Sequence, residues 1–117
     1  QMLNNGGIIG NQRFFKEETV NLFTAYGTPN SRRGLGFDKP EKDNQTRKEA
    51  YPALLVSPAT FGHTGYTGTG VWADPENKIV YIFLSNRVQP DGGTNVKLLN
   101  MNVRGKIQDA LYKVINK

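Results

Sequence analysis

No cysteine occurs in the 117 residues, which excludes a disulfide framework, a thiolate nucleophile and a Cys-type zinc site. The redox compartment stays open. One histidine, His63, cannot supply a multi-His metal cluster, and neither a metal nor a cofactor is expected. Long apolar runs are missing as well. Gly, Asn or a charge breaks each hydrophobic stretch well short of the roughly 20 residues that a bilayer crossing needs, so no membrane span is expected. Basic clustering is also lacking: 15 Lys and Arg against 10 Asp and Glu give +5, but the densest group is the pair Arg32-Arg33. A nucleic-acid footprint needs clustered cations with interleaved aromatics. The charge therefore reads as a solvated surface, with no nucleic-acid partner. With 37% hydrophobic residues and a mean hydropathy of -0.55, a thin core is expected.

The length fits one small domain or a piece of a larger one. The opening Gln1-Met2-Leu3-Asn4-Asn5 before Gly6-Gly7 reads as the last turn of a helix stopped by glycine. A helix cut off by its own first residue leads us to expect more chain upstream, and no export signal is read within these residues. Lys16 to Tyr26 predicts a short helix, with Glu17 and Glu18 in its first turn and Gly27 as its stop. Arg33-Gly34-Leu35-Gly36-Phe37 predicts a strand with Leu35 and Phe37 on one face. Asp38 to Thr60 is a long connection without a sustained period, of the kind that is functional, mobile or trimmed from something larger. Inside it, Asn44-Gln45-Thr46 matches a glycosylation acceptor, a pattern frequent by chance.

The next segment is a β-hairpin, with Gly70 to Ala73 and Lys78 to Ser85 as arms around Asp74-Pro75-Glu76-Asn77. The second arm is rich in β-branched and aromatic residues, as in a strand buried on both faces within a sheet. Beyond it, Val103, Ile107, Ala110, Leu111, Val114 and Ile115 recur at helical spacing and predict a C-terminal amphipathic helix packed on that sheet by this stripe. The expected class is α+β: an antiparallel sheet of an edge strand and a hairpin, packed by a C-terminal helix and short N-terminal helices.

The chemistry concentrates in Phe61-Gly62-His63-Thr64-Gly65-Tyr66-Thr67-Gly68-Thr69-Gly70. Glycines let a ligand approach the backbone, threonines offer hydroxyls, and the imidazole can donate, accept or carry charge near neutral pH. This suits a strand edge that is touched by a ligand. A dinucleotide loop is a poor match, because Gly-x-x-Gly-x-Gly here precedes a strand, whereas the fingerprint is Gly-x-Gly-x-x-Gly opening a helix. A plain glycine-rich turn whose histidine bonds to backbone remains open on residue types alone.

The run Gly62 to Thr69, then Val71-Trp72-Ala73-Asp74-Pro75, then Ile82-Phe83-Leu84-Ser85-Asn86-Arg87 resembles the carboxy-terminal part of the serine β-lactamase and penicillin-binding-protein superfamily. It is most similar to the class C-like branch of esterases and D-aminopeptidases. Asn5-Gly6-Gly7, Gly10-Asn11-Gln12-Arg13, the Glu17 to Phe23 helix and Arg33 to Phe37 follow that family's order too. The resemblance covers nearly the whole chain and is weakest across 38–60. It implies a part of the β-lactamase/transpeptidase-like fold in which His63-Thr64-Gly65 stands for the Lys-Thr-Gly motif of the active-site edge strand. His63 would then be the cationic or hydrogen-bonding member. Thr64 would contact the substrate carboxylate or acyl group, with Thr67 also on the substrate side, and Gly65 would leave room. The backbone N–H of Tyr66 would be one of two oxyanion-hole donors. Because an imidazole is charged only part of the time at neutral pH, it should hold an anionic substrate less firmly than lysine does.

The family's other two motifs are absent. Ser31, Ser57 and Ser85 are followed at the third position by Gly34, Thr60 and Val88, so no Ser-x-x-Lys nucleophile exists in these residues. No Tyr-x-Asn or Ser-x-Asn occurs either. The resemblance thus implies the last third of a serine hydrolase domain that works through an acyl-enzyme on an amide or ester. Its partners would be the missing N-terminal part of the same domain and a small-molecule or peptide substrate, with a fused glycoside hydrolase domain as in some relatives. Its place would be the bacterial periplasm or cell envelope, and this chain alone should be inactive. The alternative is a non-catalytic binding module in which Thr64, Tyr66, Thr67, Thr69 and Trp72 hold a peptide or glycan.

Overall fold

The computed structural model describes residues 1–115. A single 3-10 turn at Leu3–Asn5 ends on Gly6, whose left-handed φ of 58° closes it as the terminal glycine predicts. A small hairpin follows, β1 (Ile8–Ile9) with β2 (Gln12–Arg13). Helix α1 (Glu17–Thr24) carries Glu17 and Glu18 where the dipole favours negative charge. It stops three residues before Gly27, because Ala25 is already extended at ψ 166°.

The main sheet is antiparallel and three-stranded in the order β3 (Phe61–Thr64), β4 (Gly70–Asp74), β5 (Ile79–Phe83). The chain then forms a short helix α2 (Lys97–Asn100) and the long helix α3 (Val103–Ile115). The fold is α+β, as expected. Strand alternation puts Trp72 and Tyr81 on the face that meets α3, where Tyr81 donates to the Arg104 carbonyl at 3.1 Å. Phe61, His63, Val71, Val80 and Ile82 share the opposite face.

Four expectations need correction. Arg33 to Phe37 is not a strand: Gly34 N–H donates to the Phe37 carbonyl at 2.8 Å and closes a tight turn, after which Asp38 makes an isolated bridge to Gly62. Strand β5 is not the middle of the sheet, since β4 is, and Val80 and Ile82 are exposed. The apolar stripe of α3 is not its packed face. Gly105, Gln108 and Tyr112 are buried instead, while Ile107, Leu111, Val114 and Ile115 are exposed. Finally, the 38–60 connection is packed: Ala53 and Val56 form the core cluster with Tyr112, joined by Ile79.

A buried carboxylate explains why α3 turns its polar stripe inward. Asp74, at the end of β4, is 1% exposed and accepts from Ser57 N–H, Ser57 Oγ, Asn77 N–H, Asn77 Nδ2 and the Tyr112 phenol. Burial alone would raise its pKa, but these donors, Ser57 foremost, outweigh that and hold the carboxyl well below the usual range. A buried ion must be hydrogen-bonded, so the helix delivers Tyr112 to it at the expense of hiding its apolar side. Gly105 permits the approach: a Cβ there would lie 2.7 Å from the Pro52 carbonyl oxygen. Asn44 is likewise committed, buried with Nδ2 donating to the Ala53 carbonyl and Oδ1 accepting from Tyr51 N–H, so the glycosylation pattern has no accessible acceptor.

Candidate functional site

Strand β3 is an outer strand of the sheet, held on its far side by one residue among the described ones. Asp38 N–H donates to the Gly62 carbonyl at 2.7 Å, and Gly62 N–H returns the bond to the Asp38 carbonyl at 3.0 Å. Gly62 is required where it stands, because a Cβ would collide with the Val71 carbonyl oxygen and lie 2.8 Å from Trp72 Cα. Past Gly62 the edge is open. His63, Gly65, Tyr66 and Thr67 are exposed and Thr64 is half-buried.

The turn after β3 is closed by Gly65 N–H to the Thr69 carbonyl at 2.9 Å and by Gly68 N–H to the Gly65 carbonyl at 3.0 Å. Neither bond uses the N–H of Tyr66, a residue exposed on this turn. Two arginines hold this turn from behind. Arg104 Nη1 donates to the Gly68 and Thr69 carbonyls, both at 3.2 Å. Arg87 N–H donates to the Thr67 carbonyl at 2.8 Å, and its guanidinium lies 4.7 Å from the Tyr66 ring centre.

His63 and Thr64 point to opposite faces of the sheet, as strand alternation demands. A chain of polar groups around the edge links them. His63 Nδ1 lies 2.7 Å from the Thr64 carbonyl oxygen and Nε2 lies 3.2 Å from Arg33 Nη1. Arg33 Nη2 is 3.2 Å from Oδ1 of Asp38, a carboxylate only 2% exposed. The other Asp38 oxygen accepts from the Tyr51 phenol at 2.9 Å. The Thr64 hydroxyl neighbours the Tyr51 phenol; burial first, and then Asp38, push that phenol up, so it stays protonated and donates. The Arg32 guanidinium lies 4.1 Å from the Tyr51 ring centre, and the Trp72 ring meets it in a T-shaped arrangement with centres 5.3 Å apart.

The segment-based expectation therefore finds His63, Thr64, Gly65, Tyr66 and Thr67 together on one exposed edge. It missed Arg33, Asp38 and Tyr51. Arg33 and Asp38 flank a segment expected to be a plain strand, and nothing local to Tyr51 marks it; a charged pair at the two ends of the Gly34–Phe37 turn was the one available signal. Trp72 is 2% exposed, so it is core and cannot stack on a ligand. Among the described residues no group of three His, Asp or Glu side chains is placed to hold a metal ion.

The chain is 35% identical over 112 residues to a protein of Escherichia coli K12 named "Putative D-alanyl-D-alanine carboxypeptidase", an alignment that covers 96% of this chain and 25% of that protein. A Salmonella enteritidis protein of the same name is 33% identical over the same coverage. The chain thus spans about a quarter of the length of the curated relatives it matches. Among solved structures, a Bacteroides dorei protein described as a "putative beta-lactamase" superposes with a TM-score of 0.56 at 17% identity, over 99% of this chain and 37% of the other. That likeness establishes the fold, part of a β-lactamase architecture. The family model named Beta-lactamase matches residues 2–103, and on that match the chain belongs to the Beta-lactamase family.

Proposed function

We propose that this chain is the C-terminal portion of a serine hydrolase domain and forms the substrate-binding wall of its active site. The observation that carries the reading is the open edge of β3, where His63, Thr64 and Gly65 lead into a turn that leaves the Tyr66 N–H uncommitted. In this reading an acyl group lies along the edge and its carbonyl oxygen accepts from Tyr66 N–H as negative charge develops there. Such a preorganised donor costs no reorganisation when the charge appears. Thr64 and Thr67 offer hydroxyls to the substrate, and Gly65 leaves space beside them.

The nucleophile belongs to residues outside this sequence, so the complete protein is the enzyme and this chain alone is inactive. Membership of the family and the carboxypeptidase names of its relatives support an acyl-enzyme reaction on a peptide that ends in D-alanine, in the cell envelope. The rest of the domain would cover the apolar face of Val71, Val80 and Ile82. It would also cover the groove between β5 and α3, lined by Ile79, Ile107, Leu111 and Ile115.

The decisive experiment has two steps. The coding sequence upstream of Gln1 should contain Ser-x-x-Lys followed by Tyr-x-Asn in frame. The complete product should then form a covalent acyl-enzyme, seen by intact mass, with a p-nitrophenyl ester or a D-alanyl-D-alanine peptide. Saturable hydrolysis of p-nitrophenyl acetate by the 117-residue chain alone would defeat the reading.

A further inference from the structure

We infer that Arg33, rather than His63, is the cationic group of the β3 edge, and that it receives a carboxylate of the substrate while it fixes His63 as the neutral Nδ1–H tautomer. This rests on the substrate-wall reading above. The tautomer follows from the two neighbours of the ring. Nδ1 faces only an acceptor, the Thr64 carbonyl oxygen at 2.7 Å, and so must carry a proton. Nε2 faces Arg33 Nη1 at 3.2 Å, and a guanidinium has donors and no acceptor. Both contacts are hydrogen bonds only if Nε2 is bare. A proton on Nε2 would set two donors against each other beside a fixed positive charge.

The imidazole is therefore a spacer whose two nitrogens are both occupied, and it has little left to offer an anion. Arg33 does. Its side chain is 56% exposed and Asp38 anchors it from the buried side at 3.2 Å. Of its five N–H donors one goes to His63 and one faces Asp38, so three donors of the planar fork remain for contact with a carboxylate. Arg32, by comparison, is spent: it lies over the Tyr51 ring and pairs with Glu41 at 3.0 Å. Position supports the assignment as well. Arg33 meets β3 at the residue that opens the exposed edge, so an extended substrate on that edge would place a terminal carboxylate next to it.

The test uses the 117-residue chain and nitrogen-15 NMR. At alkaline pH the His63 ring should show its proton on Nδ1 and a bare Nε2. Titration with N-acetyl-D-alanine should then shift the Arg33 side-chain and His63 ring signals in a saturable way, and the methyl ester of the same compound should not. Arg33→Gln should abolish the response and Arg33→Lys should restore part of it. A proton on Nε2 in the unsubstituted chain overturns the inference, as does an equal response to acid and ester, an acid response that survives Arg33→Gln, or no response to the acid. The tautomer and the acid–ester comparison need no variant, so misfolding of Arg33→Gln does not blunt the test. Absence of Ser-x-x-Lys upstream would defeat the hydrolase reading and leave these readouts unchanged.

Discussion

The Tyr112 phenol donates to Asp74 Oδ2 across 2.7 Å, tying the last helix to the turn between β4 and β5. Both residues are 1% exposed, and Asp74 takes two further bonds from Ser57, so three distant stretches of chain meet on one carboxylate.

Tyr112→Phe should lower stability by about 1.5–3 kcal/mol, the range for a hydrogen bond to a charged group whose loss strips a buried acceptor. Urea midpoints with an unchanged slope would report it. A loss within error would mean that Ser57 and Asn77 satisfy Asp74 without the helix.

The same pair gives stability a defined pH window. The carboxyl of Asp74 is held below its unfolded value of about 3.9, so its contribution is complete above that pH and disappears as pH falls through the folded value. Tyr112 is pushed up, by burial first and by Asp74 second, so its contribution is complete below about pH 10 and is lost as pH rises through the folded value. Unfolding followed from acid to alkali should show a plateau between these limits. Asp74→Asn should flatten the acid limb, and an acid limb of unchanged slope in that variant would place the titration elsewhere.

Gly62→Ala should destabilise the sheet by about 1–3 kcal/mol, the usual range for overpacking. The added methyl would meet backbone, the Val71 carbonyl and Trp72 Cα, which cannot step aside as a flexible side chain can. Circular dichroism with thermal unfolding measures the loss, and amide exchange at Asp38 should quicken with it.

Exposed apolar residues on β5 and α3 should make the isolated chain self-associate. Val80 is 49% exposed, Ile82 58% and Leu111 46%, and β5 has one free edge in the three-stranded sheet. Such edges recruit other chains. Sedimentation should show a concentration-dependent rise in mass that Ile82→Lys with Leu111→Lys suppresses. A monomer at every concentration would show that the face is tolerated in water.

Local pattern carried the elements that depend on neighbours in the chain. The hairpin around Asp74 to Asn77, helix α1 and the glycine stop at Gly6 follow from turn chemistry, capping and period, which act over a few residues. The exposure of the edge around His63-Thr64-Gly65-Tyr66 was legible for the same reason, since dense glycine and threonine are poor material for a buried core. Sidedness was not legible. The stripe Ile107, Leu111, Val114 and Ile115 reads as a buried face in any helix taken alone, and β5 reads as a central strand.

By itself, then, the sequence determined the class, the hairpin, the exposed edge and the absence of Ser-x-x-Lys, because each rests on residue types and short spacings. Only the tertiary structure decided which face of α3 is buried, that 38–60 supplies the core, and that Arg33, Asp38 and Tyr51 join His63 to Thr64 around the edge of β3. Those outcomes depend on where a buried charge finds its donors. Asp74 takes a hydrogen bond from Tyr112, 38 residues away, and Asp38 takes one from Tyr51 and an ion pair from Arg33, and no local pattern records a partner at such distances.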